Sequence, residues 1–154
     1  MTGYFDSSAL VAIYVTERFS PAARREARSA LQIPYTALHA IEVPNALRVL
    51  HGRALITSRE LRELLALLAG DIEAHRLVET RVDLFTVFDH AAELSKVHAS
   101  RLLCRSLDIL HVAAALELRC KSLVSGDDRQ LALARSVGLE TVDVKKTRRR
   151  TSSS

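Results

Sequence analysis

Residues 2–13, Thr-Gly-Tyr-Phe-Asp-Ser-Ser-Ala-Leu-Val-Ala-Ile, contain the pattern around which the rest of the chain is organised. The aromatic pair before Asp6 favours a strand, and Ser7 or Ser8 is a favourable N-cap for a helix through the apolar run that follows. Asp6 is thereby placed at the carboxyl end of the first strand, beside the positive end of a helix dipole. Ligands of open α/β sheets bind at that edge. Taken alone, however, such an aspartate is more often a turn residue or a helix cap.

The composition of the 154-residue chain fits one globular domain, with 48% apolar and 26% charged residues. No apolar run approaches the roughly 18 residues that span a membrane, and the N-terminus lacks the charged and apolar segments of a signal peptide. Cys104 and Cys120 have no CxxC spacing and suit a reducing compartment. We therefore expect a cytoplasmic protein without a membrane partner.

Positive charge is concentrated at the end of the chain. The formal net charge is +4, but residues 145–150 contain five of the 22 Lys and Arg residues. Residues 1–144 therefore carry 17 basic against 18 acidic side chains, a net charge of −1. We expect one domain over residues 1–144 and a basic, flexible tail over residues 145–154. The tail either contacts nucleic acid electrostatically or is simply solvated.

Strand-like and helix-like segments alternate along the chain. Five strands are predicted, at the residues before Asp6 and at about 32–37, 82–88, 121–125 and 139–144. Helices are predicted after Asp6 and at about 20–31, 37–50 (capped by Thr36), 58–72 (capped by Thr57 or Ser58), 91–103, 106–118 (capped by Ser106) and 128–137. This alternation favours a mostly parallel five-stranded sheet with helices on both faces.

Three further carboxylates have unusually apolar neighbours. Glu42 lies near the start of a helix that is otherwise mostly core-like, and Asp108 lies in one of the most apolar helices of the chain. Asp127 follows the fourth predicted strand as Asp6 follows the first. Acidic side chains are rarely buried without a partner. Each acid taken alone is explained by a place in the first turn of a helix, or by an ion pair with Arg48, Arg105 or Arg129.

Considered together, the four acids predict a metal site. Two of them follow parallel strands, and the other two lie near helix starts that can close over the same edge of the sheet. Clustered carboxylates raise one another's pKa and destabilise a fold unless a cation neutralises them or they share protons. Oxygen ligands without a His or Cys set favour Mg²⁺ or Mn²⁺ over zinc. Such an ion can orient and activate water against a phosphodiester.

Four segments occur in an order and spacing typical of one family: Tyr4-Phe-Asp-Ser-Ser-Ala-Leu, Ile41-Glu-Val-Pro-Asn-Ala-Leu, Arg105-Ser-Leu-Asp-Ile-Leu-His-Val-Ala-Ala-Ala-Leu and Leu123-Val-Ser-Gly-Asp-Asp-Arg-Gln-Leu. In these segments the chain resembles PIN-domain ribonucleases, and specifically the VapC toxins of VapBC toxin–antitoxin systems. The third segment is the most specific, and the resemblance covers about residues 3–143. It implies a PIN-like three-layer α/β fold and an Mg²⁺- or Mn²⁺-dependent endoribonuclease.

The resemblance also implies the residues of the site. The implied metal ligands and catalytic groups are Asp6, Glu42, Asp108 and Asp127, accompanied by the hydroxyls of Ser7 and Ser125. Asp128 is the alternative to Asp127. Pro44, if it lies inside the helix that carries Glu42, removes a backbone hydrogen bond and is expected to kink that helix. His111 is expected to be a packed, hydrogen-bonded histidine rather than a ligand.

The partners implied by the resemblance are an RNA substrate, a second copy of the chain in a homodimer, and a VapB-like antitoxin that blocks the acidic groove. Three other interpretations remain open. The chain is alternatively a catalytically weakened PIN-fold module that binds RNA or protein, or a PIN nuclease outside any toxin–antitoxin pair. A receiver-like phosphoacceptor domain is the third, but it needs a lysine after a late strand, and Lys145 is poorly placed for that.

Overall fold

A computed structural model describes residues 3–146, which form five strands and seven helices. In chain order these elements are β1 (Gly3–Phe5), α1 (Ser7–Tyr14), α2 (Ser20–Ser29), β2 (Ile33–Tyr35), α3 (Ala37–Gly52), α4 (Ser58–Glu73), β3 (Leu77–Glu79), α5 (Leu84–Leu102), α6 (Ser106–Glu117), β4 (Ser122–Ser125), α7 (Asp128–Ser136) and β5 (Glu140–Asp143).

The strands pair in parallel throughout the described part of the chain. β4 lies between β1 and β5, with Phe5 opposite Val124 and Val124 opposite Val142. β2 pairs with β3, and β2 also lies beside β1. The five strands thus form a three-stranded and a two-stranded hydrogen-bonded set that lie side by side. The predicted α/β fold with a mostly parallel sheet is confirmed.

Alternate side chains of the strands enter two separate cores. Tyr4 and Leu123 face one core, which is closed by the apolar sides of α5, α6 and α7. Phe5 and Val124 face the other core, which is closed by α1 to α4. A strand places successive side chains on opposite faces, so β1 and β4 separate two helical layers. This arrangement leaves the carboxyl ends of β1 and β4 together at one edge.

The third strand lies earlier in the chain than predicted. Residues 82–88 are rich in β-formers, but α5 begins at Leu84 and continues to Leu102, so the helix expected at 91–103 starts earlier. Asp83 is the N-cap of α5: its carboxylate accepts the backbone N–H of Phe85 (3.1 Å) and the hydroxyl of Thr86 (2.7 Å). This cap outweighs the weak β-propensity of the residues that follow. The strand β3 is instead Leu77–Glu79.

Two helix caps also differ from the prediction. Asp6, rather than Ser7 or Ser8, is the N-cap of α1, because its carboxylate accepts a backbone N–H of the first turn at 2.7 Å. Arg105, rather than Ser106, is the N-cap residue of α6. Thr36 and Thr57 precede α3 and α4 as expected. Both N-cap residues, Asp6 and Arg105, are charged and belong to the segments of the predicted site.

The described chain ends at Lys146, so residues 147–154 of the predicted basic tail lie outside the described residues. Lys145 contacts the carboxylate of Asp128, and its backbone N–H is donated to Asp143 (2.9 Å). Cys104 and Cys120 are both free thiols. Between residues 3 and 146, none of the helices combines the length and the apolar character needed to cross a bilayer.

Candidate active site

Asp6 and Asp127 both lie at the carboxyl edge of the sheet. The backbone N–H of Asp6 extends the β1–β4 pairing by donating to the Val124 carbonyl (3.0 Å), which brings Asp6 next to the end of β4. Asp127 follows that strand and is the N-cap of α7, where its carboxylate accepts the N–H groups of Arg129 (2.9 Å) and Gln130 (3.0 Å). The structure therefore places both residues as the sequence predicted, and assigns each a structural role as a helix cap.

The carboxylate of Asp6 is buried and fully hydrogen-bonded. It accepts the hydroxyls of Ser8 (2.8 and 2.9 Å) and Ser125 (2.6 Å) in addition to the N–H of Ala9 (2.7 Å). Burial raises the pKa of Asp6, and these donated hydrogen bonds oppose that rise. The Asp6 side chain is thus held in one orientation from several sides.

Ser125 connects three parts of the site. Its hydroxyl oxygen accepts the backbone N–H of Asp127 (2.9 Å), and its single hydrogen lies between two acceptors, Asp6 (2.6 Å) and the side-chain oxygen of Gln130 (2.9 Å). The amide nitrogen of Gln130 donates to the backbone carbonyl of Asp108 (3.2 Å). A buried polar chain therefore joins β1, β4, α7 and α6 behind the predicted ligands.

Gln130 was not singled out from the sequence. It lies on the inward face of α7 with buried apolar residues, and it is itself buried. The sequence signal for Gln130 was a polar residue at a position expected for the core. Such a side chain needs buried hydrogen-bond partners.

Asp108 and Asp127 share one cation. The guanidinium of Arg105 donates through Nε to Asp108 Oδ2 (3.1 Å), and its Nη2 lies 3.6 Å from Asp127 Oδ2. Asp108 is buried at the start of α6, whereas the Arg105 side chain is 70% exposed. The sequence left open that an acid of the group is paired with Arg105. That ion pair is present at Asp108, and Arg105 also lies close to Asp127.

Asp128 points to a different partner. Its carboxylate accepts a hydrogen bond from Lys145, and this hydrogen bond together with the charge of the lysine lowers the pKa of the exposed Asp128 side chain. The side chain of Asp127, by contrast, lies at the Arg105 guanidinium beside Asp108. This geometry favours Asp127 over Asp128 as a member of the acidic group.

Glu42 reaches the same edge from α3. Its Oε1 accepts the hydroxyl of Ser7 (3.1 Å) and contacts Nε2 of His111. Burial by itself would raise the pKa of Glu42, but the hydrogen bonds from His111 and Ser7 and the nearby charges of His111 and Arg105 together lower it. Pro44 lies inside α3, and the helix continues past it to Gly52. Pro44 therefore does not keep Glu42 from the site.

His111 is a buried histidine in the hydrogen-bonded setting predicted for it, and it also contacts a predicted catalytic residue. Its Nδ1 lies 2.8 Å from the hydroxyl of Tyr4, and its Nε2 lies 3.2 Å from the hydroxyl of Ser7. Burial raises the pKa of Tyr4, so its hydroxyl keeps a hydrogen that it can donate to Nδ1. The two ring nitrogens of His111 thus contact Tyr4 on one side and Ser7 and Glu42 on the other.

His39 fixes the helix that carries Glu42. Its Nδ1 accepts the backbone N–H of Thr36 (2.9 Å), so Nε2 carries the hydrogen and donates it to the carbonyl of Phe5 (2.8 Å). Burial and the nearby charge of His111 lower the pKa of His39 to about 3, so this ring is neutral. The start of α3 is thereby attached to the end of β1, three residues before Glu42.

The donor set has the chemistry of a metal site but not its arrangement. Carboxylate and hydroxyl oxygens suit Mg²⁺ or Mn²⁺. Over residues 3–146, however, no three side chains of the Asp, Glu, His and Cys types are arranged so that they could hold one ion as they stand. The carboxylates are divided among Ser125, His111 and Arg105. The donor chemistry is that of a site for a hard divalent cation.

The comparisons with known proteins bear on the fold. No protein-family model matches the chain, and no curated protein matches its sequence. Among solved structures, the chain is similar to the crystal structure of FitAcB from Neisseria gonorrhoeae, with a TM-score of 0.62 and 10% sequence identity, covering 93% of this chain and 98% of that chain. At such low identity the similarity shows the fold alone. Together with the strand arrangement, it confirms a PIN-like α/β fold.

Proposed function

We propose that the protein is a metal-dependent endoribonuclease that acts as the toxin of a type II toxin–antitoxin system. One observation carries the proposal: contacts at the carboxyl edge of β1 and β4 link Asp6, Asp127 and Asp108, and Glu42 contacts Ser7, the residue next to Asp6. These contacts run through Ser7 and Ser125 on one side and through Arg105 on the other. An edge of this kind is where open α/β sheets bind their ligands.

In the proposed reaction, Asp6, Asp108 and Asp127 would hold Mg²⁺ or Mn²⁺, directly or through water. Such an ion lowers the pKa of bound water and stabilises charge on phosphate oxygens. The residues of the chain would supply orientation. Ser125 keeps the Asp6 carboxylate in place, and His111 and Ser7 hold the carboxylate of Glu42. Because its pKa is lowered, Glu42 stays ionised and can accept a hydrogen bond from the attacking water.

RNA cleavage by the purified protein tests the enzymatic proposal. Total RNA should be cut in the presence of MgCl₂ or MnCl₂ and left intact when EDTA is present. Asp6→Asn and Asp108→Asn should each lower the cleavage rate by about a hundredfold or more, since each removes a proposed ligand. Asp89→Asn, which changes an exposed acid on α5, is the matched control and should cleave normally. Equal rates in all three variants would refute the proposal.

The proposed partners follow from the family resemblance: an antitoxin of the VapB type and a second copy of the chain. The proposed cytoplasmic setting rests on the two isolated cysteines, which suit a reducing compartment. Exposed apolar side chains near the start of α5, at Leu84, Phe85 and Phe88, offer surface for a protein partner. A small reading frame directly upstream that encodes a protein able to bind and inhibit this chain would support the antitoxin. Light scattering of the purified protein measures the homodimer directly.

A second candidate function is a PIN-fold binding module without catalysis. It is favoured by the pairing of Arg105 with both Asp108 and Asp127, because that pairing partly compensates the charge of two of the proposed ligands without a metal. Such a module would bind RNA equally well with EDTA or MnCl₂ and would leave the RNA intact in both.

A further inference from the structure

Arg105 occupies the position in which a cation is needed. Its guanidinium is 3.1 Å from Asp108 and 3.6 Å from Asp127, and its positive charge also lowers the pKa of Glu42. One positive charge thus faces several carboxylates. The group keeps an excess of negative charge with Arg105 in place, so it still attracts a cation from solution.

The backbone of Arg105 is fixed, whereas its side chain is largely exposed. As the N-cap residue of α6, Arg105 donates its backbone N–H to Asp108 (3.3 Å), and its carbonyl accepts the N–H of Ile109 (3.1 Å). The guanidinium, at the end of a flexible side chain, is 70% exposed. Rotation of this side chain into solvent would break no backbone contact.

The geometry differs from that of an ion pair built for stability. Strong arginine–carboxylate pairs are bidentate, with two parallel hydrogen bonds to one carboxylate. Arg105 instead divides its nitrogens between two carboxylates, and the contact with Asp127 is beyond hydrogen-bonding distance. Solvent screens the exposed guanidinium, so its replacement beside Asp108 by another cation has a low cost.

We propose that Arg105 is the resident counter-cation of the acidic site, which a divalent metal ion must displace to bind. This inference rests on the proposed metal-dependent function and adds a residue that sets how tightly the metal is held. Metal binding would compete with the Arg105–carboxylate contacts, because both would draw on the carboxylates of Asp108 and Asp127. Removal of the guanidinium should therefore have opposite effects on the metal-free and metal-bound proteins.

Mn²⁺ binding in the absence of RNA tests the inference. We expect Arg105→Gln to bind Mn²⁺ about three- to fivefold more tightly than the unaltered protein by isothermal titration calorimetry, the effect expected when a partly exposed competing charge is removed. Arg105→Lys, which keeps the charge but loses the planar fork, should lie between the two. The melting temperature without metal should fall slightly in Arg105→Gln, while the rise on adding MnCl₂ should be larger.

Arg59→Gln is the matched control. Arg59 is an 82% exposed arginine that pairs with Glu63 on α4 at 2.9 Å, and its loss should leave Mn²⁺ affinity unchanged. Equal Mn²⁺ affinity of Arg105→Gln and the unaltered protein would overturn the role of Arg105 while leaving the metal-dependent function standing. If neither protein binds Mn²⁺, both the counter-cation and the metal-dependent function are wrong.

Discussion

The two sides of the acidic site are held in different ways. Asp6 and Glu42, the inner pair, are held from the core by the buried Ser125 and His111. Asp108 and Asp127, the outer pair, share the exposed Arg105. Buried hydrogen bonds are costly to leave unmade, whereas exposed ion pairs are easily exchanged. The comparison indicates that both pairs of carboxylates are held by hydrogen bonds, but that the inner pair has buried side-chain partners and the outer pair has an exposed one.

The largest expected effect tests the rigidity of the inner pair. His111→Leu replaces the imidazole with an apolar side chain of similar size. The Tyr4 hydroxyl and the Glu42 carboxylate then lose their common hydrogen-bond partner. We expect the free energy of unfolding to fall by about 3 kcal/mol, the cost of unmade buried hydrogen bonds. Urea denaturation measures this loss.

His90→Leu is the matched control for that experiment. His90 contacts Glu117 at 3.0 Å in a partly exposed pair on the surface. Its replacement should cost less than about 1 kcal/mol. Similar losses for the two histidine variants would show that the inner pair is no more tightly held than the surface.

A second, smaller effect comes from pH. The pKa of His39 is lowered from 6.5 to about 3, mainly by burial. Below pH 6.5 the unfolded chain takes up a proton that the folded His39 does not accept, so stability decreases as the pH falls towards 3. Between pH 6.5 and 5 this loss amounts to about 2 kcal/mol.

Two carboxylates modify this pH dependence. Burial raises the pKa of Asp6, which favours the folded state as the pH falls. The lowered pKa of Glu42 acts in the opposite direction and adds to the loss from His39. The His39 contribution is isolated by comparing the unaltered protein with His39→Gln, whose unfolding free energy should change less between pH 6.5 and 5. Equal pH slopes would mean that His39 is protonated in the folded protein.

The smallest expected effect concerns the outer pair, and it is an increase in stability rather than a decrease. Without metal, Asp108→Asn should raise the melting temperature slightly, by the equivalent of less than about 1 kcal/mol, because a repulsive charge beside Asp127 is removed and little is lost at the exposed Arg105. Asp89→Asn should leave the melting temperature unchanged. A clear decrease for Asp108→Asn, measured by scanning calorimetry, would show that Arg105 and Asp108 form a structural ion pair.

Local sequence patterns predicted the elements that carry the acids. The strand before Asp6, the apolar helix that contains Asp108 and the strand before Asp127 are all present, because apolar periodicity and turn residues act over short distances. The prediction was wrong at residues 82–88, where β-propensity suggested a strand. There the side chain of Asp83 caps a helix instead, and a cap is decided by one side chain rather than by average propensity.

The sequence by itself determined the order of strands and helices, the α/β class and the position of acids at two strand ends, because each follows from neighbours along the chain. Only the tertiary structure decided which groups hold those acids. Glu42 meets His111 across 69 positions, and Ser125 meets Asp6 across 119. Arg105 is close to Asp108 along the chain, yet its second contact, with Asp127, depends on how α6 packs beside α7. Such long-range contacts arise from the packing of helices and strands, and local sequence patterns do not predict them.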